Sequence, residues 1–249
     1  MFSIEIVDSD AENLSSGAVV ERVGAMKPRL VVIVAAGHQP SASTQSMVSA
    51  GRVATAIKHL FPDFPILMLG GHVSALPERS LREEGVDFVC KGEGPATVVG
   101  LLTALRDDVG DPRLEKIPGP VYWDDEHPRV NPPAWLIEDL DGELHGRVWD
   151  KLPMTKYRAH NWQCLGEPET RQPYVSSYTT LGCPYKCSFC CINAPFDSNR
   201  YRRRSPNAVA AEMVYLRLRD VQALARHSSL QMTQKYIEVS EGAMKRVVE

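Results

Sequence analysis

The first half of the chain switches repeatedly between two hydrophobic patterns. "LVVIVAA" at 30–36 is a continuous run of apolar, mostly β-branched side chains. Such a run fits a strand buried on both faces. "PILMLG" at 65–70 and "VDFVCKG" at 86–92 repeat it, while "FSIEIV" at 2–7 alternates apolar and polar positions as a further strand. Helical spacing takes over between these runs. Helices are expected over 17–26, 45–60 and 96–106, with Met47, Ala50, Ala54, Ile57 and Leu60 on the face of the second. Thr44 suits its cap. Pro77 suits the first turn of another helix, which Gly85 stops.

This alternation predicts an α/β fold with a doubly wound parallel sheet. Right-handed crossovers then gather loops 37–44, 70–77 and 92–96 at the strand C-terminal edge, where open α/β sheets bind ligands. The loops read "GHQPSAST", "GGHVSALP" and "GEGPA", rich in glycine and hydroxyl groups. No GxGxxG follows the first strand, so a dinucleotide site is not favoured.

The texture then changes. Prolines 112, 118, 120, 128, 132, 133 and 153 break up residues 107–172, read as a linker with a small strand near Val121–Trp123. "PYVSSYTT" at 173–180 reads as a strand. Ser205-Pro206 opens a helix to about Leu218, with Val209, Met213 and Leu216 on one face. A strand, a loop and a helix in this order make the first unit of a β/α barrel.

Composition narrows the class. The 249 residues carry a net charge of −3, which gives no global affinity for nucleic acid or anionic membrane. The apolar runs are too short to span a bilayer, and no leader opens the chain, so a cytoplasmic protein is expected. There, clustered cysteines point to metal or redox chemistry more than to disulfides. Cys90 and Cys164 stand alone and read as small buried apolar residues.

Four of the six cysteines lie in "TTLGCPYKCSFCCINAPF". Cys183, Cys187 and Cys190 are spaced C-x-x-x-C-x-x-C. Thiolates suit zinc or iron–sulfur clusters. A structural zinc wants four ligands, and Cys191 diverges from its neighbour Cys190. Three convergent thiolates suit a four-iron cluster with one iron left open.

"GCPYKCSFC", with Phe189 before the third cysteine, resembles the signature of radical S-adenosylmethionine (SAM) enzymes. The resemblance implies that Cys183, Cys187 and Cys190 hold a [4Fe–4S] cluster. Its fourth iron would chelate S-adenosylmethionine, and one electron would release a hydrogen-abstracting 5′-deoxyadenosyl radical. Cys191 matches no ligand position and reads as packing. "GHQPSASTQSM", "LGGHVSALPE" and "VDFVCKGEGPATV" resemble the Rossmann-like cobalamin (B12)-binding domain that precedes the barrel in many radical enzymes, including the anaerobic cyclase of bacteriochlorophyll synthesis. That implies a corrinoid site lined by Ser41, Thr44, Gly70, Gly71, His72, Glu93 and Gly94. Blander roles stand beside it: His38 and His72 as loop caps, Ser41 and Thr44 as helix caps, and Glu93 as a tie within its own turn.

Two departures accompany the resemblance. "FSIEIV" aligns with the second strand of the cobalamin fold, so its first strand is expected to be missing. The barrel is expected to be incomplete, and "RLRDVQALARHSSLQMTQKYIEVSEGAMKRVVE" resembles the end of tyrosine recombinases of phage integrase type. His227 and Tyr236 match its catalytic positions as vestiges, and Arg226 stands where glycine is usual. The expected organisation is a cobalamin-binding-like α/β domain over 1–110, a linker over 111–172, the start of a radical SAM domain over 173–217 and an integrase-like helical tail over 218–249. Arg200, Arg202, Arg203 and Arg204 read as a solvated stretch, with nucleic-acid binding as the alternative. The family chemistry is methyl transfer or cyclisation, with reduced flavodoxin or ferredoxin as electron donor and no membrane partner. A corrinoid-binding module without catalysis and a non-functional chimera are the alternatives.

Overall fold

The structure is a computed structural model that describes residues 2–36, 42–107, 113–144, 148–159 and 174–216. The chain divides into two compact units. One comprises Leu14–Leu136 and Gly182–Tyr201; the other comprises the described residues of Met1–Asn13, Ile137–Leu181 and Arg202–Glu249.

The first unit is an α/β sandwich. Helix α1 (Ser16–Met26) starts where the Ser15 hydroxyl accepts the Ala18 N–H, and stops at Lys27 in the left-handed region. Strand β1 (Val31–Val34) leads to α2 (Ala42–Leu60), and β2 (Ile66–Leu69) leads to α3 (Gly71–Ala75) and α4 (Pro77–Glu83). Strand β3 (Phe88–Cys90) is followed by α5 (Pro95–Asp107), then by β4 (Pro120–Asp124) and β5 (His127–Val130). The sheet order is β1-β2-β3-β4-β5. The first three strands are parallel, and β4 and β5 run antiparallel to their neighbours.

Side-chain alternation along the strands builds two cores. Val31, Ile66, Met68, Val89 and Val121 face α1 to α4, meeting Val20, Ala54, Ile57, Val73 and Leu81. Leu67, Phe88, Cys90 and Tyr122 face the other way, onto Leu101 of α5 and Ile117. Both faces of the central strands are therefore covered, which is why their sequences are continuously apolar.

Three expectations need correction. Residues 2–7 form no strand. Their alternation supplies a face, but a strand also needs a ladder partner, and Ile4 is 64% exposed. The stretch expected to be a linker with a small strand near Val121–Trp123 does form that strand, as β4, but β4 joins the main sheet and β5 pairs with it. Its prolines hid this. Pro120 begins β4, and Pro128 lies on the outermost strand, both positions that tolerate a missing N–H. Residues 174–178 are irregular, and the strand before the cysteines is only β6 (Thr180–Gly182), paired with β7 (Tyr201–Arg203).

In the second unit, α6 (Leu140–Glu143) and α7 (Pro206–Leu216) are the described α-helices. Ser205 caps α7 through the Ala208 N–H, and its own N–H donates to the Asp141 carboxylate at 3.1 Å. The Glu212 carboxylate accepts from Trp149 Nε1 at 2.9 Å and Ser177 Oγ at 2.8 Å, and pairs with Arg204. Arg202 is buried and donates to the Ile137 carbonyl. Only Arg200 and Arg203 of the basic stretch are exposed, so the expected solvated run is half structural. Tyr157 donates to Asp8 at 2.7 Å. Burial, and then that carboxylate, hold the phenol above its ordinary range.

Candidate corrinoid edge and cysteine loop

The strand C-terminal edge of the first unit is tied together by small polar side chains. Ser43, in the first turn of α2, is buried. Its hydroxyl donates to the Ala35 carbonyl after β1 at 2.6 Å and accepts the His72 N–H at 2.9 Å. Thr44 Oγ1 lies 3.1 Å from His72 Nδ1. Gly70 ends β2 with φ +149°, and a Cβ there would stand 2.2 Å from the Ala35 oxygen. Only glycine lets the chain pass so close. Across β3, Ser74 Oγ accepts the Gly92 N–H at 3.3 Å and lies 3.3 Å from the carbonyls of Cys90 and Gly92. Glu93 is half-buried and Gly94 buried, the latter's carbonyl accepting the Val98 N–H of α5.

Thr44, Gly70, Gly71 and His72 are thus gathered around Ser43 at the edge the topology requires. Thr44 lies inside the first turn of α2 rather than at its cap. Ser41 and His38 lie outside the described residues, as do Cys164, His227 and Tyr236. Cys90 is fully buried against α5, and burial pushes its thiol pKa up, as expected of an inert packed residue.

The cysteine loop belongs to the same unit. Gly182, at φ +87°, passes so near the Arg200 carbonyl that a Cβ would stand 2.4 Å from its oxygen. Within the loop the Cys190 N–H donates to the Cys187 carbonyl at 3.1 Å. The Asn193 carboxamide spans the loop: Oδ1 accepts the Cys183 N–H, and Nδ2 donates to the carbonyls of Cys183 and Tyr185, all at 2.9 Å. Cys183 is half-buried, Cys187 and Cys190 are exposed, and all three are free thiols. Sulfur-only, accessible donors fit an iron–sulfur cluster. Among the described residues, no three His, Cys, Asp or Glu side chains stand close enough to hold one metal ion. Cys191 packs beside the strand C-terminal edge, its Sγ 3.7 Å from where a Gly71 Cβ would lie.

Residues 1–102 match the family model of the B12 binding domain. The loops around Ser43, Gly70 and Gly94 all lie within the stretch that is similar to a B12 binding domain. The whole chain resembles larger proteins. It is 30% identical over 214 residues to an uncharacterized methyltransferase, PH0819, of Pyrococcus horikoshii, covering 86% of this chain and 42% of that protein. It is 29% identical over 215 residues to the anaerobic magnesium-protoporphyrin IX monomethyl ester cyclase of Synechocystis, covering 86% of this chain and 39% of that protein. The chain thus spans about two fifths of the length of these curated relatives. Among solved structures, the radical S-adenosylmethionine methyltransferase TsrM of Kitasatospora setae, with cobalamin and a [4Fe-4S] cluster bound, matches with a TM-score of 0.60. That match has 20% identity and covers 99% of this chain and 45% of that one. It shows a shared fold. Sequence patterning missed Ser43, Ser74 and Asn193, because a single polar residue that bonds to backbone leaves no periodic signal.

Proposed function

We propose that this chain is the corrinoid-binding and cluster-bearing part of a cobalamin-dependent radical S-adenosylmethionine protein, acting in methyl transfer or cyclisation. The observation that carries this reading is the packing of Cys191 beside Gly71, which sets the cysteine loop against the edge of the B12 binding domain. Cys183, Cys187 and Cys190 would hold the [4Fe–4S] cluster. Ser41, Thr44, Gly70, Gly71, His72, Glu93 and Gly94 would line the corrinoid. When bound, the cluster supplies one-electron cleavage of S-adenosylmethionine. The chain's own residues then bring two cofactors to one sheet edge. Ser43 fixes the two loops that the corrinoid would touch, and Gly182 allows the cysteine loop to close. The expected electron donor is a reduced flavodoxin or ferredoxin, in a cytoplasmic setting. No described helix is long and apolar enough to cross a membrane.

Anaerobic reconstitution with iron and sulfide tests the reading. Protein that takes up iron, turns brown and yields 5′-deoxyadenosine from S-adenosylmethionine supports it. Replacement of Cys183, Cys187 and Cys190 by alanine is expected to abolish iron uptake, and equal iron in the variant and parent would overturn the ligand assignment. A second reading, a corrinoid module without catalysis, is supported by the match of residues 1–102 to the B12 binding domain. Cobalamin binding without S-adenosylmethionine cleavage would select it.

A further inference from the structure

The geometry points to Asn193 as the positioning residue of the cysteine loop, a role that rests on the radical-enzyme reading above. Its carboxamide presents one acceptor and one two-hydrogen donor. All are used on backbone eight to ten residues away: Cys183 N–H to Oδ1, and Nδ2 to the carbonyls of Cys183 and Tyr185. Only this orientation of the amide satisfies the three contacts, since a flipped amide would set N–H against N–H and oxygen against two oxygens. The carboxamide thus replaces the peptide of a neighbouring strand, which the loop lacks at Cys183.

The backbone of Asn193 is committed as well. Its carbonyl accepts the N–H groups of Phe196 and Asp197 at 3.0 Å, closing the turn that holds Asp197 in the left-handed region. One residue therefore fixes the first cysteine and the segment that follows the third. Closing a loop of this length costs conformational entropy whether or not a metal is present. Asn193 meets that cost in the apoprotein, so the backbone of the first cysteine is held in place before iron arrives. Neighbouring hydrogen bonds of this kind govern how tightly ligands hold a metal.

The test uses the full chain with Asn193→Ala and Asn193→Asp. The aspartate sets a charged oxygen against the carbonyls of Cys183 and Tyr185 in place of the two donor contacts. In the metal-free protein, hydrogen exchange at the Cys183 amide is expected to speed up about tenfold or more in Asn193→Ala and to speed up in Asn193→Asp as well. After reconstitution, both variants are expected to lose iron to a chelator about tenfold faster than the parent. Both should also show an altered electron paramagnetic resonance line shape for the reduced cluster. Cobalamin affinity equal to the parent's would show that the sheet is intact. Parental exchange at Cys183 in Asn193→Ala overturns the proposal, as do parental chelation rate and line shape in both variants. A parent chain that takes up no iron overturns the radical reading instead, and exchange at Cys183 still decides the role of Asn193.

Discussion

A methyl group added at Gly70 would stand 2.2 Å from the Ala35 oxygen, in a backbone conformation that L side chains rarely adopt. Gly70→Ala is therefore expected to destabilise the fold by about 2–4 kcal/mol and to abolish cobalamin binding, as read by urea denaturation and cobalamin titration. At the next residue the same change would meet Ser43 at 3.6 Å and Cys191 at 3.7 Å, ordinary contacts. Gly71→Ala should stay within about 0.5 kcal/mol of the parent. Glu84 offers a pH-dependent test. Its carboxylate lies over Gly51, where a Cβ would be 1.9 Å from Oε2. Burial raises its pKa, Glu83 adds to the rise, and His72 opposes it. A raised folded-state pKa means that the folded protein binds the proton more tightly. The stabilisation is present below the unfolded pKa and is lost as pH rises through the folded one. Glu84→Gln should flatten the pH dependence of the urea midpoint across the carboxylate range. At this scale the cysteines were legible because four stand in one short stretch. Ser43 was one serine in a hydroxyl-rich loop, and only the Ala35 carbonyl beside it in space gives it a role.

The Arg204–Glu212 pair links β7 to α7 within the second unit. Side-chain exposures of 10% and 4% put both charges out of water. Removing one partner leaves the other buried and uncompensated. Glu212→Ala is expected to cost about 3–5 kcal/mol, measured by thermal or urea unfolding. Glu212→Gln, whose single amide oxygen can still accept from Trp149 or from Ser177, should cost less. The sequence could not announce this pair, since four arginines near one another look alike until one meets a carboxylate eight residues on. The elements were unequally legible for a related reason. β1, β2 and β3 declare themselves because burial on both faces demands unbroken apolar runs. β4 and β5 are half polar and carry prolines, so their strand character depends on pairing, β4 with β3 and β5 with β4. "FSIEIV" shows the converse, an alternation that finds no ladder.

For the whole molecule, the two proposed cofactors draw on different residues of one unit. The corrinoid would use the loops after β1, β2 and β3, and the cluster the loop between β6 and β7. The Cys183, Cys187 and Cys190 triple alanine variant should therefore keep its cobalamin affinity within about twofold of the parent while holding no cluster. Joint loss of both would mean that the cysteine loop is part of the corrinoid site itself. The fold class was legible in the alternation of the first 107 residues, and of the antiparallel hairpin that ends the sheet only the strand near Val121–Trp123 was. That hairpin has one more consequence. The Asn131 N–H bonds inward to Pro120, so by strand alternation the backbone nitrogen of Pro128 faces outward. A stray extended peptide reaching this margin meets a gap where a donor should be, next to the charge of Arg129. Templated stacking into fibrils has no foothold there.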